Sequence, residues 1–403
     1  FIMVQTILIN PAPHGNGPYI VAADYAQEFA SRVEGFGDAF LLVPHIYRKS
    51  VLCPDGIARS VQAKILACDQ FPHLRKRILL SDPLGDVLDS LNYRGQGTYG
   101  DRLATILASQ SRAEQDWNRL LNGRLLTRNL DGEEVVIDGR DVAIEIGHNP
   151  IVLTEGRRKY LTTIAPFSLL MREAEKLQPS LGYALPDVAG LIAIGEHVEA
   201  GQNLILTSTP STLTYSRDEL RAKGLLSNER VIPPFKRPQF EDSSLIVDGE
   251  YALVTRSGIG GLTVTALDQT ITFFRKAGYN IASGDEGDDL RVSPGAFVAH
   301  PQCKYTIGRM GLSTVYGALL LGKPLITFPF DPRDDVEMLC NEKTFRALDL
   351  VLFYEGKDPT VRGEEVRGNI QRYFRSLEEH FGTLDGVTFG ADLMVKDFIA
   401  GGI

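Results

Sequence analysis

The sequence is poor in the features that mark membrane proteins and nucleic-acid-binding proteins. No apolar run reaches the roughly 20 residues that a helix needs to cross a bilayer. The 403 residues include 42 Lys and Arg against 51 Asp and Glu, so the formal net charge is −9 and argues against a broad surface for nucleic acid or anionic lipid. We therefore predict no transmembrane span and no nucleic-acid partner, and the sequence leaves peripheral contact with a membrane open.

Cysteines and ready-made cofactor motifs are scarce as well. The four cysteines are scattered, without a C-x-x-C pair or the Cys/His spacing of a metal site. Free thiols in a reducing compartment are the simplest interpretation, and no signal-peptide pattern opens the chain, so we predict a cytoplasmic location. The phosphate loop G-x-x-x-x-G-K-(S/T) and the dinucleotide loop G-x-G-x-x-G are both absent, and we predict no metal ion and no resident cofactor.

The two halves of the chain open with the same pattern. Residues 4–9 form an apolar, β-rich run, a turn rich in glycine and proline follows at 10–18, and apolar residues recur at three- or four-residue steps over 19–32. The second half repeats this order, with a strand-like run at 251–255 and a glycine turn at 257–261 before a predicted helix. Strand, glycine turn and helix open a doubly wound domain, so we predict an α/β protein with two Rossmann-like domains.

The best candidate for a linker between the domains is rich in proline. Residues 231–238 hold three prolines, which lack the backbone donor that sheets and helices need. We therefore predict one domain over residues 1–238 and a second over residues 239–403.

The most informative motif lies in the second half of the chain. Gly311 permits a close approach of the backbone, and Ser313 and Thr314 can cap a helix whose N–H groups point at an anion. Arg309 adds a cation with a planar fork of donors, and the acidic loop 331–335 can accept hydrogen bonds from sugar hydroxyls. This combination predicts a site that holds a diphosphate at one end and a sugar at the other.

This segment resembles the donor-site signature of GT-B glycosyltransferases, most closely the MurG-like and UDP-glycosyltransferase group. The likeness rests on Arg-x-Gly-x-Ser-Thr at 309–314, the run 318–326, and Pro329-Phe330 followed by Asp335 and Asn341.

The resemblance implies two Rossmann-like domains that face each other across a cleft. The amino-terminal domain would bind the acceptor and the carboxyl-terminal domain the nucleotide-sugar, with the last helix crossing back to the first domain. The implied reaction moves a sugar from a nucleoside-diphosphate sugar, expected to be UDP-linked, to a small-molecule or lipid acceptor. Inversion by one direct displacement is expected, with no requirement for a metal ion.

Two departures from the family pattern concern the donor. The glutamate that commonly holds the nucleotide ribose is replaced by Gly317, so either the ribose is held otherwise or the donor is not the usual UDP. The Asp-Gln or Gln-Gln pair that contacts the sugar becomes Asp335 and Glu337. A carboxylate at that place could select a different hydroxyl pattern or an amino sugar.

The first turn of the chain contains the candidate base. Many family members carry Gly-His after the first strand, where the histidine removes a proton from the acceptor hydroxyl; here His14 precedes Gly15, and Asn16 follows. A histidine titrates near neutral pH, so we predict His14 as catalytic and Asn16 as an acceptor contact. A structuring role for His14 stays open. Asp82, also a predicted acceptor contact, and Asp86 are the next candidates for the base, with a plain turn as their alternative.

The glycine turn of the second half is the other predicted donor contact. Ser257, Gly258, Gly260 and Gly261 follow the first strand of that half, and in the GT-B family this loop approaches the diphosphate through backbone N–H groups. Plain packing between strand and helix is the alternative.

Other interpretations stay open for the chain as a whole. A GT-B-like nucleotide-sugar epimerase or hydrolase needs no acceptor pocket, and Gly317 and the displaced His14 give some weight to a non-catalytic binding protein. The basic triplet 157–159 is predicted to be a solvent-exposed turn, with binding of a phosphorylated acceptor as the alternative. Residues from about 95 to 230 carry no motif, so the sequence does not identify the acceptor.

Overall fold

The structure is a computed structural model. It describes residues 5–13, 17–45, 47–48, 59–60, 77–92, 97–216, 219, 228–235, 248–255, 262–283, 289–291, 294–331 and 333–401.

The chain forms two compact units. The first comprises residues 1–208, 220–232 and 387–403, and the second comprises residues 209–219 and 233–386. The main passage from the first unit to the second thus lies between residues 232 and 233, inside the proline-rich segment.

The first unit is built on a nine-stranded sheet within the described residues. Its strands, together with the separate two-stranded ribbon β3–β4, are β1 (Thr6–Pro11), β2 (Phe40–Pro44), β3 (Tyr47–Arg48), β4 (Arg59–Ser60), β5 (Ile78–Ser81), β6 (Arg124–Arg128), β7 (Glu134–Asp138), β8 (Val142–His148), β9 (Arg158–Thr163), β10 (Leu204–Ser208) and β11 (Glu229–Ile232). The sheet order is β11-β10-β9-β8-β1-β2-β5-β6-β7, parallel except where β6 pairs with β5 and β7.

Helices cover this sheet, and its central strand β1 is buried on both faces. All six residues of β1 are buried, as parallel strands covered on both sides require. The helices are α1 (Gly17–Ala30), α2 (Asp82–Asp89), α3 (Tyr99–Leu121), α4 (Phe167–Leu181) and α5 (Val188–Ala200), with a 3₁₀ turn at Gly139–Asp141.

The second unit repeats the plan on a smaller scale. Its described strands are β12 (Tyr251–Val254), β13 (Asn280–Ser283), β14 (Leu290–Arg291), β15 (Cys303–Ile307), β16 (Leu325–Thr327) and β17 (Val351–Phe353), all parallel in the order β14-β13-β12-β15-β16-β17. Its helices are α6 (Leu262–Lys276), α7 (Pro294–Ala299), α8 (Leu312–Leu319), α9 (Val336–Ala347) and α10 (Gly363–Phe381), with 3₁₀ turns at Thr214–Ser216 and Pro359–Arg362. The predicted α/β class with two Rossmann-like domains is confirmed.

The last helix, α11 (Gly386–Ala400), packs on the sheet of the first unit. Arg158 Nη1 donates to the carbonyls of Asp397 (3.0 Å) and Phe398 (2.6 Å), and the Phe398 ring meets Phe29 edge to face at 5.6 Å. None of the described helices combines the length and hydropathy needed to cross a membrane.

Candidate functional site

Each sheet has one place where its strand order reverses. In the first sheet the chain runs outward from β1 through β2 and β5, and in the opposite direction from β8 through β9, β10 and β11. In the second sheet it runs from β12 through β13 and β14, and oppositely from β15 through β16 and β17. Open α/β sheets bind ligands beside the carboxyl ends of the strands at such a switch point. The candidate sites are therefore the β1/β8 edge and the β12/β15 edge, each within its own unit.

At the β12/β15 edge three loops leave the sheet side by side. Thr255 N donates to Ile307 O at 2.9 Å directly after β12, and Gly308 N donates to Ile326 O at 3.0 Å directly after β15. A side chain at Gly308 would overlap the Thr255 hydroxyl, so glycine is what lets these strand ends approach so closely. The Arg309–Gly311 segment thus begins beside the end of β12, the strand that precedes the predicted glycine turn.

The first turn of α8 presents backbone donors at this edge. Gly311 is the N-cap, in extended conformation and without a side-chain cap, while Thr314 N and Val315 N bond back to Gly311 O. Ser313 and Thr314 therefore lie in the first turn of the helix and not at the capping position. No atom of the described residues lies within 4 Å of the place a Gly311 side chain would occupy. The helix start accordingly has room for an anion beside its N–H groups.

Arg309 forms an ion pair inside the same loop system. Its Nη1 donates to Asp334 Oδ1 at 2.6 Å, and the Asp334 side chain is only 14% exposed. Burial raises the pKa of Asp334 to about 6; Arg309 opposes the rise, and Asp335 and Asp331 add to it. Since a guanidinium carries five N–H donors, this pair leaves Arg309 able to contact a phosphate as well.

The other two aspartates of the acidic loop 331–335 accept hydrogen bonds from residues within or next to the loop. Asp331 is buried and accepts from the backbone N and the guanidinium of Arg333 at 2.9–3.1 Å. Asp335 is the N-cap of α9 and accepts from Met338 N at 3.3 Å. A sugar hydroxyl that bonds to Asp335, as predicted, would therefore compete with Met338 N for the carboxylate, and this N-cap bond stabilises the start of α9.

Glu337 and Asn341 form a pair one turn further along α9. Asn341 is fully buried, and its Nδ2 donates to Met310 O (2.7 Å) and to Glu337 Oε1 (3.2 Å). Burial and the neighbouring Asp335 raise the pKa of Glu337 well above its ordinary value. Gly317, where the family carries the ribose glutamate, is buried on α8 and offers no side chain.

At the β1/β8 edge of the first unit, Ala12 N donates to His148 O at 2.8 Å. The Thr162 hydroxyl donates to Gly147 O at 2.9 Å, so it accepts from His148 Nδ1 at 2.9 Å and fixes the proton on that nitrogen. Burial lowers the pKa of His148 to about 3, so this imidazole is neutral at physiological pH and unsuited to act as a base.

The carboxylate of Asp82 contacts two side chains, those of a histidine and an arginine. His45 Nδ1 lies 2.7 Å from Asp82 Oδ1, and Arg128 forms an ion pair with the same carboxylate. His45 follows β2 and is 6% exposed; burial and the Arg128 charge lower its pKa. Asp82 therefore orients a histidine that the sequence reasoning passed over. The signal was present, because His45 directly follows an apolar strand, as Asp82 does.

A small pocket opens beside the switch point of the first unit. It is lined by Asn149, Thr163, Phe167 and Glu199 among others. Glu199 is 2% exposed and accepts from Ser168 N at 2.8 Å and from the Ser168 hydroxyl, so it caps the start of α4 from the neighbouring helix. Burial raises the pKa of Glu199 to about 7.

The basic triplet is structural, and the prediction of a solvent-exposed turn is wrong. Arg157 donates to the carbonyls of Leu121 (2.7 Å) and Gly139 (2.8 Å), and Lys159 is 8% exposed and donates to Arg157 O. Together with the bonds from Arg158 to the last helix, these contacts tie separate elements of the first unit together.

Several predicted site residues lie outside the described residues, namely His14, Asn16, Ser257, Gly258, Gly260 and Gly261. The described chain reaches them from β1 and β12, the two strands at which strand order reverses. Among the described residues no group of three or more His, Cys, Asp or Glu is arranged to hold a metal ion.

Solved structures with the same fold match nearly the whole chain. A UDP-glucosyltransferase from Polygonum tinctorium aligns with 98% of this chain and 98% of its own, at 12% identity and a TM-score of 0.63. UGT2 of Phytolacca americana, solved with UDP-2-fluoro-glucose and pterostilbene, covers 98% and 100%, at 13% identity and 0.60. The glycosyltransferase SnogD from Streptomyces nogalater covers 98% and 99%, at 13% identity and 0.55.

The sequence itself matches no protein-family model and no curated protein. The structural likeness establishes the fold: the chain has the GT-B fold that the donor-site motif predicted.

Proposed function

We propose that the protein is a glycosyltransferase that transfers a sugar from a UDP-linked donor to a small-molecule acceptor. The observation that carries the proposal is the β12/β15 switch point. There an uncapped helix start, an arginine and a close-packed glycine occupy one sheet edge of a GT-B chain. Such an edge suits the diphosphate of a nucleotide-sugar, because backbone donors and a guanidinium both favour phosphate oxygens.

The donor binds the second unit in this proposal. The first turn of α8 and Arg309 hold the diphosphate, and the predicted glycine turn at 257–261 adds backbone donors. As the bond between the sugar C1 and the diphosphate oxygen breaks, these groups stabilise the negative charge that develops on the leaving group. A metal ion is then not required for that task.

The acceptor binds the first unit, near the β1/β8 edge. Its hydroxyl oxygen attacks C1 from the face opposite the diphosphate, so one displacement inverts the configuration. His14 takes the hydroxyl proton, UDP leaves with the bonding electron pair, and the glycoside is released. Asp82 is proposed to act through His45 at the acceptor side, since its carboxylate is already shared by His45 and Arg128.

The test is acceptor-dependent release of UDP. The protein is incubated with UDP-glucose, with and without phenolic and aniline acceptors, and the products are followed by mass spectrometry. Transfer to an acceptor supports the proposal, and the anomeric coupling constant of the product reports inversion. Release of UDP or formation of a new nucleotide-sugar without any acceptor would contradict it in favour of a hydrolase or an epimerase.

The role of His14 is tested separately. His14→Ala should abolish transfer but retain UDP binding, whereas His380→Ala, an exposed position on α10, should leave both unchanged. Unaltered transfer by His14→Ala would remove the proposed base.

A further inference from the structure

We propose that Glu145 is protonated in the folded protein near neutral pH and shares its proton with Asn10, and that this acid–amide pair fixes the end of β1. The chain continues from β1 to His14, the proposed base, so Glu145 is a positioning residue that acts through Asn10. Its effect on the reaction rests on the proposed function, whereas the state of its proton does not.

Asn10 and Glu145 are neighbours on one face of the first sheet. Glu145 of β8 lies opposite Leu8 of β1, and side chains two residues apart in a strand lie on the same face. Asn10 is fully buried and Glu145 is 1% exposed. Asn10 Nδ2 donates to Glu145 Oε1 at 3.0 Å and to Val152 O at 3.0 Å. These two bonds tie the end of β1 to β8 and to the segment that follows β8.

Each of the two side chains also has a buried oxygen without a hydrogen-bond partner. These oxygens are Asn10 Oδ1 and Glu145 Oε2. Turning the amide round does not help, because Oδ1 would then face the Val152 carbonyl, which accepts and cannot donate. Unpartnered buried acceptors are unfavourable, so both oxygens require the same thing, a hydrogen to accept or to carry.

A single proton on Glu145 satisfies both oxygens. A protonated carboxyl has one O–H donor beside its carbonyl oxygen, and an amide has an acceptor beside its N–H donors, so two hydrogen bonds can join them. In the proposed pair Asn10 Nδ2 donates to Oε1, as observed, and the Oε2 hydroxyl donates to Asn10 Oδ1. An ionised Glu145 would instead place a charged oxygen and a second acceptor together in a buried site.

The cations near Glu145 do not take the place of this proton. Among the described residues, the charged side chains that act on Glu145 are Arg157 and Lys159, and both donate to backbone carbonyls. Burial raises the pKa of Glu145, although these two cations and the hydrogen bonds of Thr154 and Asn10 oppose the rise. The protonated form is therefore favoured by the same burial that leaves the two oxygens without water.

The pair makes the end of β1 sensitive to alkali. Since the pKa of Glu145 is higher in the folded protein than its ordinary value of 4.5, the stabilisation is complete below pH 4.5 and is lost as the pH rises through the folded-state pKa. Loss of the proton breaks the bond to Asn10 Oδ1 and leaves a negative charge beside it. The hold on Asn10 then weakens four residues before His14.

Infrared spectroscopy at pH 7 observes the proton directly, through the carbonyl stretch of a protonated carboxylic acid. Glu199 and Glu337 also have raised pKa values, so the band of Glu145 is the part that Glu145→Gln removes. We expect Glu145→Gln to lose this band and the control Glu175→Gln, at an exposed position of α4, to retain it. Identical spectra of the wild type and Glu145→Gln would overturn the inference, since an ionised Glu145 would give that result.

The positioning role is tested by the pH profile of transfer. Glutamine offers one acceptor and one donor, as protonated Glu145 does, so Glu145→Gln should fold and should not lose the pair in alkali. From pH 7 to about pH 10 we expect the rate of Glu145→Gln relative to the wild type to rise about threefold to tenfold, the equivalent of one lost hydrogen bond.

The outcomes of the two experiments are distinguishable. A constant ratio of rates, or failure of Glu145→Gln to fold, would overturn the positioning role. Absence of transfer by the wild type at every pH would instead count against the proposed function, and the infrared spectra would still decide whether Glu145 carries the proton.

Discussion

Replacing Glu199 by Gln should change how the stability of the first unit depends on pH. The carboxyl of Glu199 is 2% exposed, and burial raises its pKa from 4.5 to about 7 although Ser168 donates to it. Since the folded state holds this proton more tightly than the unfolded chain, the stabilisation is complete below pH 4.5 and is lost as the pH rises through 7. Each tenfold difference in proton affinity corresponds to about 1.4 kcal/mol, so the loss amounts to about 3 kcal/mol.

Glutamine keeps the shape of the side chain and removes the titration. Its amide oxygen can accept from Ser168 N, and its NH₂ group can donate to the Ser168 hydroxyl oxygen. The free energy of unfolding of Glu199→Gln, relative to the wild type, should therefore rise by about 3 kcal/mol between pH 5 and pH 8.

The assay is urea unfolding at several pH values, followed by tryptophan fluorescence. Trp117 is the only tryptophan of the chain, is fully buried in the first unit, and donates to Thr154 Oγ1 at 2.7 Å. The comparison with the wild type cancels the opposite effect of His148, whose lowered pKa removes stability as the pH falls from 6.5 towards 3. Glu175→Gln, at an exposed position of α4, is the control. A constant difference between Glu199→Gln and the wild type from pH 5 to pH 8 would refute the reasoning.

Three further substitutions test other contacts of the first unit. Gly85→Ala should destabilise it by about 1–3 kcal/mol in the same urea assay, because the added methyl group would overlap the His45 carbonyl. Arg158→Gln should expose the last helix to limited proteolysis, because it loses both hydrogen bonds to the final turn; cleavage at the wild-type rate would contradict this. Glu145→Gln should stabilise the unit more at pH 8 than at pH 5, because burial raises the pKa of Glu145 and the Gln amide can still accept from Asn10; an equal effect at both pH values would contradict this.

Local patterns predicted most of the framework. The first strand and the first helix were predicted at residues 4–9 and 19–32 and lie at Thr6–Pro11 and Gly17–Ala30. They follow from an apolar run and from apolar residues at helical spacing, which are properties of neighbouring residues. A helix start directly after Gly311 was also predicted, and α8 begins at Leu312, although the N-cap is Gly311 rather than Ser313 or Thr314. Its motif is contiguous, so no knowledge of long-range pairing was needed.

The features that sequence reasoning missed depend on pairing between distant residues. His45 and Asp82 are 37 residues apart and meet only because β2 and β5 are neighbours in the sheet. Arg158 was taken for part of an exposed turn because its partners, the last carbonyls of α11, lie 239 and 240 residues away. The long helix α3 was not predicted, because it lies in the segment from about residue 95 to 230 in which no motif was recognised. Its start nevertheless carries a capping box, formed by Thr98 and Asp101.

Binding of UDP to the second unit is the measurement that tests the proposed donor site most directly. Isothermal titration calorimetry compares the wild type with Arg309→Ala and Arg375→Ala. Arg375 is exposed on α10, so its variant shows the effect of removing one positive charge away from the proposed site. We predict that the wild type binds UDP, that Arg309→Ala binds it at least about tenfold more weakly, and that Arg375→Ala matches the wild type. No binding by the wild type, or equal binding by Arg309→Ala, would contradict the assignment of the β12/β15 edge as a nucleotide-sugar site.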